Sequence, residues 1–129
     1  MPTQIKEDTM RVVLLILLSV NVLMSQEPDF QKCYDSHPAT NDWMQCAYHE
    51  YDYRDKQLNA VYRHVKNHLP KEEIPNLIKA QRAWITFRDR ECCFEAYEMR
   101  GGSAEKQFTI GCKIALTRER VQSLRTLLP

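Results

Sequence analysis

The residues with the most chemistry to offer are the cysteines. Cys33, Cys46, Cys92, Cys93 and Cys112 make five in a chain of 129. Their spacing lacks the paired C-x-x-C of a zinc site and the C-x-x-C-His of a haem attachment, so the chemistry they offer is disulfide formation. An odd count leaves one thiol over. His64 and His68 are four apart, a spacing that puts two metal ligands on one helical face, with Glu72 just beyond. They fall on the flank of an apolar stripe, and His37 and His49 are distant in sequence, so no metal site is assigned. Neither Gly-x-Ser-x-Gly, a phosphate loop nor an obvious Cys-His pair occurs. The Cys92-Cys93 pair is not followed by His-Asp, and no glycine-rich calcium loop precedes it, unlike secreted phospholipases. The chain reads as a binding protein, not an enzyme, with no cofactor.

Disulfides need an oxidising compartment, and the N-terminus supplies a way there. After Arg11, about thirteen mostly apolar residues run to Met24. A bilayer span needs ~20, whereas this length suits the apolar core of a signal peptide. Residues 1–25 are therefore expected to be a signal peptide ending at Ser25, with Met10 as an alternative true start because Glu7 and Asp8 suit such a leader badly. The mature chain, 26–129, is then one helical domain, periplasmic or secreted, without a stable membrane span. The competing reading is an uncleaved anchor.

Charge narrows the partner. The chain has 18 Lys+Arg against 17 Asp+Glu, and losing Lys6, Arg11, Glu7 and Asp8 with the leader keeps the balance at +1. That argues against nucleic acid. The distribution is uneven: seven acids lie between Glu27 and Asp55, among them Asp42, Glu50 and Asp52, against Lys32 and Arg54. Such a face attracts a cationic protein, or is simply solvated.

Three glycines leave little room for the turns of a β protein. Helical periodicity is plain instead. Trp43, Met44, Ala47, Tyr51, Leu58, Val61, Tyr62, Val65 and Leu69 share one face, with Thr40 or Asn41 as cap and Pro70 as stop. A second helix from about Glu72 carries Leu77, Gln81, Trp84, Arg88, Cys92 and Glu95 on one stripe, with Pro75 in its first turn and Gly101-Gly102 at its end. Ser103 would cap a third, carrying Phe108, Cys112, Leu116, Arg120, Leu124 and Leu127. The expected fold is all-α: an antiparallel three-helix bundle with an irregular, disulfide-stapled N-terminal segment. Tyr48, Tyr51, Tyr53, Trp84, Phe87 and Phe94 read as core and core edge.

One combined pattern carries a resemblance. Cys33, Cys46, Asp55-x-x-Leu58-Asn59-x-x-Tyr62, Gln81-x-x-Trp84-x-x-x-Arg88-Asp89-x-x-Cys92, Gly101-Gly102-Ser103 and Cys112 with Thr117-x-x-Arg120 follow in that order. This resembles the N-terminal domain of LprI-type lysozyme inhibitors, a bacterial secreted domain long catalogued as of unknown function. The likeness runs from about Cys33 to Leu124. Cys93 is extra to it, and the lipoprotein cysteine that such proteins can carry does not follow the leader. The resemblance implies a protein partner, lysozyme.

Hairpin geometry sharpens the structural expectations. If the first two helices turn near residues 71–72, Asp55 lies level with Arg88 and Tyr62 with Gln81. Asp55 and Arg88 are then expected to form a partly buried ion pair, with Asn59 accepting the Trp84 indole N–H, as a polar network of Asp55, Asn59, Tyr62, Gln81, Trp84 and Arg88. A turn at Gly101-Gly102 sets Cys92 opposite Cys112, with Gly111 allowing close approach. Cys33 and Cys46 make the short-range bridge. Cys93, about 100° around the helix from Cys92, is left free or intermolecular, a route to a dimer. Asp42, Glu50 and Asp52 would steer a cationic lysozyme, and the Gly101-Gly102-Ser103 turn is a candidate for insertion into its cleft.

Overall fold

The structure is a computed structural model that describes residues 27–128. The expected leader, residues 1–25 with the alternative start at Met10, lies outside the described residues. Four α-helices follow in order: α1 Phe30–Ser36, α2 Thr40–His68, α3 Ile74–Glu95 and α4 Glu105–Arg125, with a 3-10 turn at Tyr97–Met99. The described residues contain no strand. None of their helices is long and apolar enough to cross a membrane.

The segment expected to be irregular is a helix. Asp29 caps α1 by accepting the Lys32 backbone N–H at 3.0 Å, and the Cys33–Cys46 disulfide binds the helix to α2 across a Cα–Cα distance of 5.9 Å. Phe30 on Tyr53 and Tyr34 on Trp43 complete the seam. Seven residues make too few turns for a visible apolar period, so pattern reading passes over such an element.

The long helices start and stop close to expectation. α2 ends at His68, one residue before the Leu69-Pro70 stop. Its cap position is Ala39, and neither Thr40 nor Asn41 serves as cap. Pro75 sits in the first turn of α3, where its missing N–H costs nothing. α3 ends earlier than expected, at Glu95. The chain tightens through Tyr97–Met99, and Gly101, at φ 79°, provides the left-handed turn. Ser103 does not cap α4; the Gly101 N–H donates to the Glu105 carboxylate at 2.8 Å and closes that turn.

The direction of the bundle follows from its core. Ala47 packs with Ile110 and Ile114 near one end. Leu58, Val65, Leu77, Val121 and Leu124 pack together toward the other. α2 and α4 are thus parallel and α3 runs against both. The closest backbone approaches are of α4 to α2 and of α4 to α3, whereas α2 and α3 hardly approach each other.

That wedge position of α4 keeps residues of α2 and α3 that lie level with each other from pairing directly. Asp55 and Arg88 do not pair. The Arg88 guanidinium bonds Asp89 at 3.0 Å, reaches Thr117 of α4 at 3.5 Å, and lies over the Trp84 and Tyr51 rings. Asp89 in turn holds Lys113 of α4 at 3.2 Å. Asn59 does not accept from Trp84; it donates to Asp55 at 3.0 Å. Gln81 accepts from Arg120 at 3.0 Å, and Arg120 also covers Trp84. Tyr62 packs on the larger core. The polar network therefore couples α3 to α4, not α2 to α3.

The phase of α4 also differs from the expected stripe. Ile110, Ile114, Thr117, Val121 and Leu124 are buried, while Phe108 and Leu127 are exposed. A helix wedged between two others has two contact faces, and neither dominates its sequence period.

Candidate functional site

The start of α2, the end of α3 and the start of α4 meet at one end of the bundle. Both disulfides brace it. Cys33–Cys46 holds α1 against α2, and Cys92–Cys112 joins α3 to α4 at a Cα–Cα distance of 5.4 Å. Gly111 has no part in that approach: a Cβ built on it meets no atom of another element within 4 Å. Cys93 is a free, exposed thiol.

A buried charge cluster fixes α1. The Arg54 side chain, 8% exposed, bonds the Glu50 carboxylate at 3.2 Å and also pairs with Glu27. The Tyr34 hydroxyl donates to Glu50 at 2.9 Å. The Arg54 guanidinium lies over the rings of Phe30 and Tyr53. Burial, and then the bond to Glu50, pushes the Tyr34 hydroxyl well above the usual phenol range. The hydrogen bond from Arg54 holds the Glu27 carboxyl below its ordinary value. No buried side-chain nitrogen or oxygen among the described residues lacks a partner. The cluster is internally satisfied and serves as scaffold.

That removes Glu50 from the steering surface. It is buried and neutralised by Arg54, so it projects little field into solvent. Asp52 is exposed but pairs with Lys56 at 2.6 Å. Asp42 is exposed in the first turn of α2, beside the meeting point of the helices. Gly101, Gly102 and Ser103 are exposed at the same end.

Several large apolar side chains face water at this end. Tyr48, Phe94, Tyr97 and Phe108 are each more than half exposed, and Phe94 stacks on Tyr97 at 5.8 Å. Of the aromatics expected in the core or at its edge, Tyr48, Phe87 and Phe94 are each more than half exposed. A groove of about 650 Å³ runs between Pro38, Thr40 and Trp43 on one side and Phe108, Gly111 and Glu95 on the other. A second, of about 400 Å³, lies beside it under Tyr48, Tyr51 and Lys106. Exposed aromatic area of this kind, rimmed by polar groups, is a feature of interaction surfaces and ligand grooves in general. The sequence hides the groove because Phe108 falls on the apolar stripe expected of the third helix. A glycine inside a helix, at position 111, was the available signal.

The residues expected to form the polar network have a second property. Asp55, Asn59, Tyr62, Gln81 and Arg88 all line a shallow cleft of about 340 Å³ between α2 and α3. The structure gathers them around common space without direct pairing of Asp55 and Arg88.

His64 and His68 stand one turn apart with their ring centroids 4.3 Å from each other. Both are exposed, and the Nδ1 atom of His68 lies 2.8 Å from the His64 carbonyl oxygen. Cys33, His37 and Cys46 bring three ligand atoms within 4.8 Å of one another, but both sulfurs are committed to their disulfide.

Comparison with known proteins identifies the family of the chain. A family model described as "Lysozyme inhibitor LprI" matches residues 32–124. The chain is 34% identical over 115 residues to "Uncharacterized protein R02472" of Rhizobium meliloti (strain 1021), covering 79% of this chain and 80% of that one. It is 29% identical over 112 residues to "Uncharacterized protein YecT" of Escherichia coli (strain K12), covering 74% and 68%. No solved structure matches.

Proposed function

The chain belongs to the LprI lysozyme inhibitor family, and we propose that it is an exported, non-catalytic protein that binds a cationic lysozyme and blocks its cleft. Family membership is the observation that carries this reading. The physical features support it. Lysozymes are typically cationic and work through two carboxylates in a cleft. An inhibitor therefore gains from a rigid body that presents apolar anchors with acidic groups beside them. The braced end of the bundle has that character. Across residues 39–46 and 93–108, Asp42, Glu95, Glu98 and Glu105 stand against Arg100 and Lys106. Two disulfides in one folded domain support export to the periplasm or beyond.

The test is a lysis assay with the oxidised domain in molar excess over the enzyme, at low and at high salt. Inhibition with an association rate that falls as salt rises is the expected result. Undiminished lysis at low salt, with no complex detected, would overturn it. A cell-envelope interaction protein without inhibitory activity would then be the better reading. The exposed Cys93 thiol next to exposed Phe94 favours that second reading, because it offers a route to a covalent dimer.

A further inference from the structure

We propose that the groove floored by Gly111 receives an apolar side chain that the cationic lysozyme carries next to a lysine or arginine. This deepens the inhibitor reading and rests on it.

Gly111 is the first observation. It lies inside α4, where glycine is less favourable than alanine because it surrenders more backbone freedom on folding. A fold requires glycine at a helical position for one of two reasons, a positive φ or a neighbour too close for a Cβ. Neither holds here. Gly101 is the glycine with positive φ, and a Cβ on Gly111 would meet open space. The fold would accept a side chain at this position. What a side chain would fill is the groove, so the open floor serves an occupant from outside the chain.

The walls define that occupant. Phe108, 52% exposed, faces half-buried Trp43 and exposed Pro38 across the floor. Water is a poor partner for this surface, and an aliphatic or aromatic side chain is a good one. At about 650 Å³ the groove lies within the size range of ligand sites. Among the lining residues Glu95 is the charged one, and exposed Asp42 directly precedes the wall residue Trp43 in sequence. Neither carboxylate has an ion-pair partner among the described residues. A basic group next to the apolar anchor would neutralise them, which selects a cationic partner. Cys112 lines the groove and is locked to Cys92. The cavity is thereby held ready and little ordering is needed on binding.

The experiment measures both direct binding and lysis with a purified cationic c-type lysozyme. It compares the oxidised full-length mature protein with Gly111→Trp, Gly111→Ala, Phe108→Ala and Glu95→Lys. Gly111→Trp should keep the far-UV spectrum and a melting temperature no lower than the parent, yet weaken binding at least tenfold. Gly111→Ala should bind almost as the parent does. Phe108→Ala and Glu95→Lys should each weaken binding severalfold, and the second should also flatten its salt dependence. Binding by Gly111→Trp equal to that of the parent would overturn the groove and leave the inhibitor reading intact. Groove-dependent binding without any effect on lysis would overturn inhibition and leave the groove standing. No binding by the parent overturns both.

Discussion

Replacing Arg54 with methionine tests how firmly the N-terminal helix is anchored. The substitution keeps most of the aliphatic stem between Phe30 and Tyr53 and removes the charge. Glu50, with its side chain 9% exposed, then keeps only the hydrogen bond from Tyr34. A buried carboxylate deprived of its cation costs ~3–5 kcal/mol. Some water reaches Glu50, which favours the lower end. Loss of the two cation–aromatic contacts adds ~1 kcal/mol. Glu27, 57% exposed, adds little, since surface ion pairs contribute at most ~1 kcal/mol. The sum is a loss of about 4 kcal/mol, a large part of the ~5–15 kcal/mol of a domain of this size. Urea unfolding of the oxidised protein, followed by far-UV circular dichroism, measures it. Glu50→Gln combined with Arg54→Met should be milder than the sum of the single changes, because the second change removes the orphaned charge. A loss below about 1 kcal/mol for Arg54→Met, or strict additivity, would refute a buried, coupled pair.

Four further outcomes follow from the same contacts. Arg88→Ala should destabilise by ~3 kcal/mol or more in urea unfolding, Asp55→Ala by under ~1, and the double mutant should be additive within ~0.5, because the two side chains have separate partners. Burial raises the Asp89 carboxyl, but hydrogen bonds from Lys113 and Arg88 outweigh it and hold the group below its ordinary 3.8. Its contribution is therefore full above that value and lost as pH falls through the folded one, and Asp89→Asn should flatten the acid limb of a stability-versus-pH curve. Tyr34 is shifted the other way: its contribution is full below the ordinary value of 10.0 and lost at higher pH, so Tyr34→Phe should remove that alkaline loss. Cys93→Ser should change urea stability by no more than ~0.5 kcal/mol and abolish covalent dimer on a non-reducing gel, with both disulfides retained in peptide maps.

Most of the helical layout was legible because α2 and α3 each bury one broad stripe. Leu58 and Val65, like Leu77, Gln81, Arg88 and Cys92, are buried as their periodicity requires. The pairing of Cys92 with Cys112 was legible for a simple reason: residues equidistant from a short turn stay level whatever else the bundle does. Asp55 and Arg88 are equally level across their own turn, yet they do not meet. Levelness fixes position along an axis and says nothing of separation across it. α4 fills the space between α2 and α3, and only its two-sided packing, marked by buried Thr117 and Ile114, reveals this. The same two-sidedness hid Phe108, whose exposure depends on a phase that the α4 sequence does not display.

The contacts that hold the fold and those assigned to binding converge on one end of the molecule. Arg54 and Glu50 pin α1, the Cys33–Cys46 bridge runs from α1 to α2, and Pro38 and Trp43 on that path form one wall of the groove. Cys92–Cys112 pins α3 to α4 behind the opposite wall. Each bridge closes a loop whose constraint on the unfolded chain is worth ~2–4 kcal/mol. Their position also bears on recognition: a surface that exposes Phe94, Tyr97 and Phe108 must be kept from collapsing onto itself. Reduction of either bridge should therefore impair partner binding at temperatures where the helices are still formed. Lysozyme binding and ellipticity measured side by side across a dithiol titration read this out. Simultaneous loss of the two would mean that the bridges hold the whole fold and have no separate part in shaping the binding end.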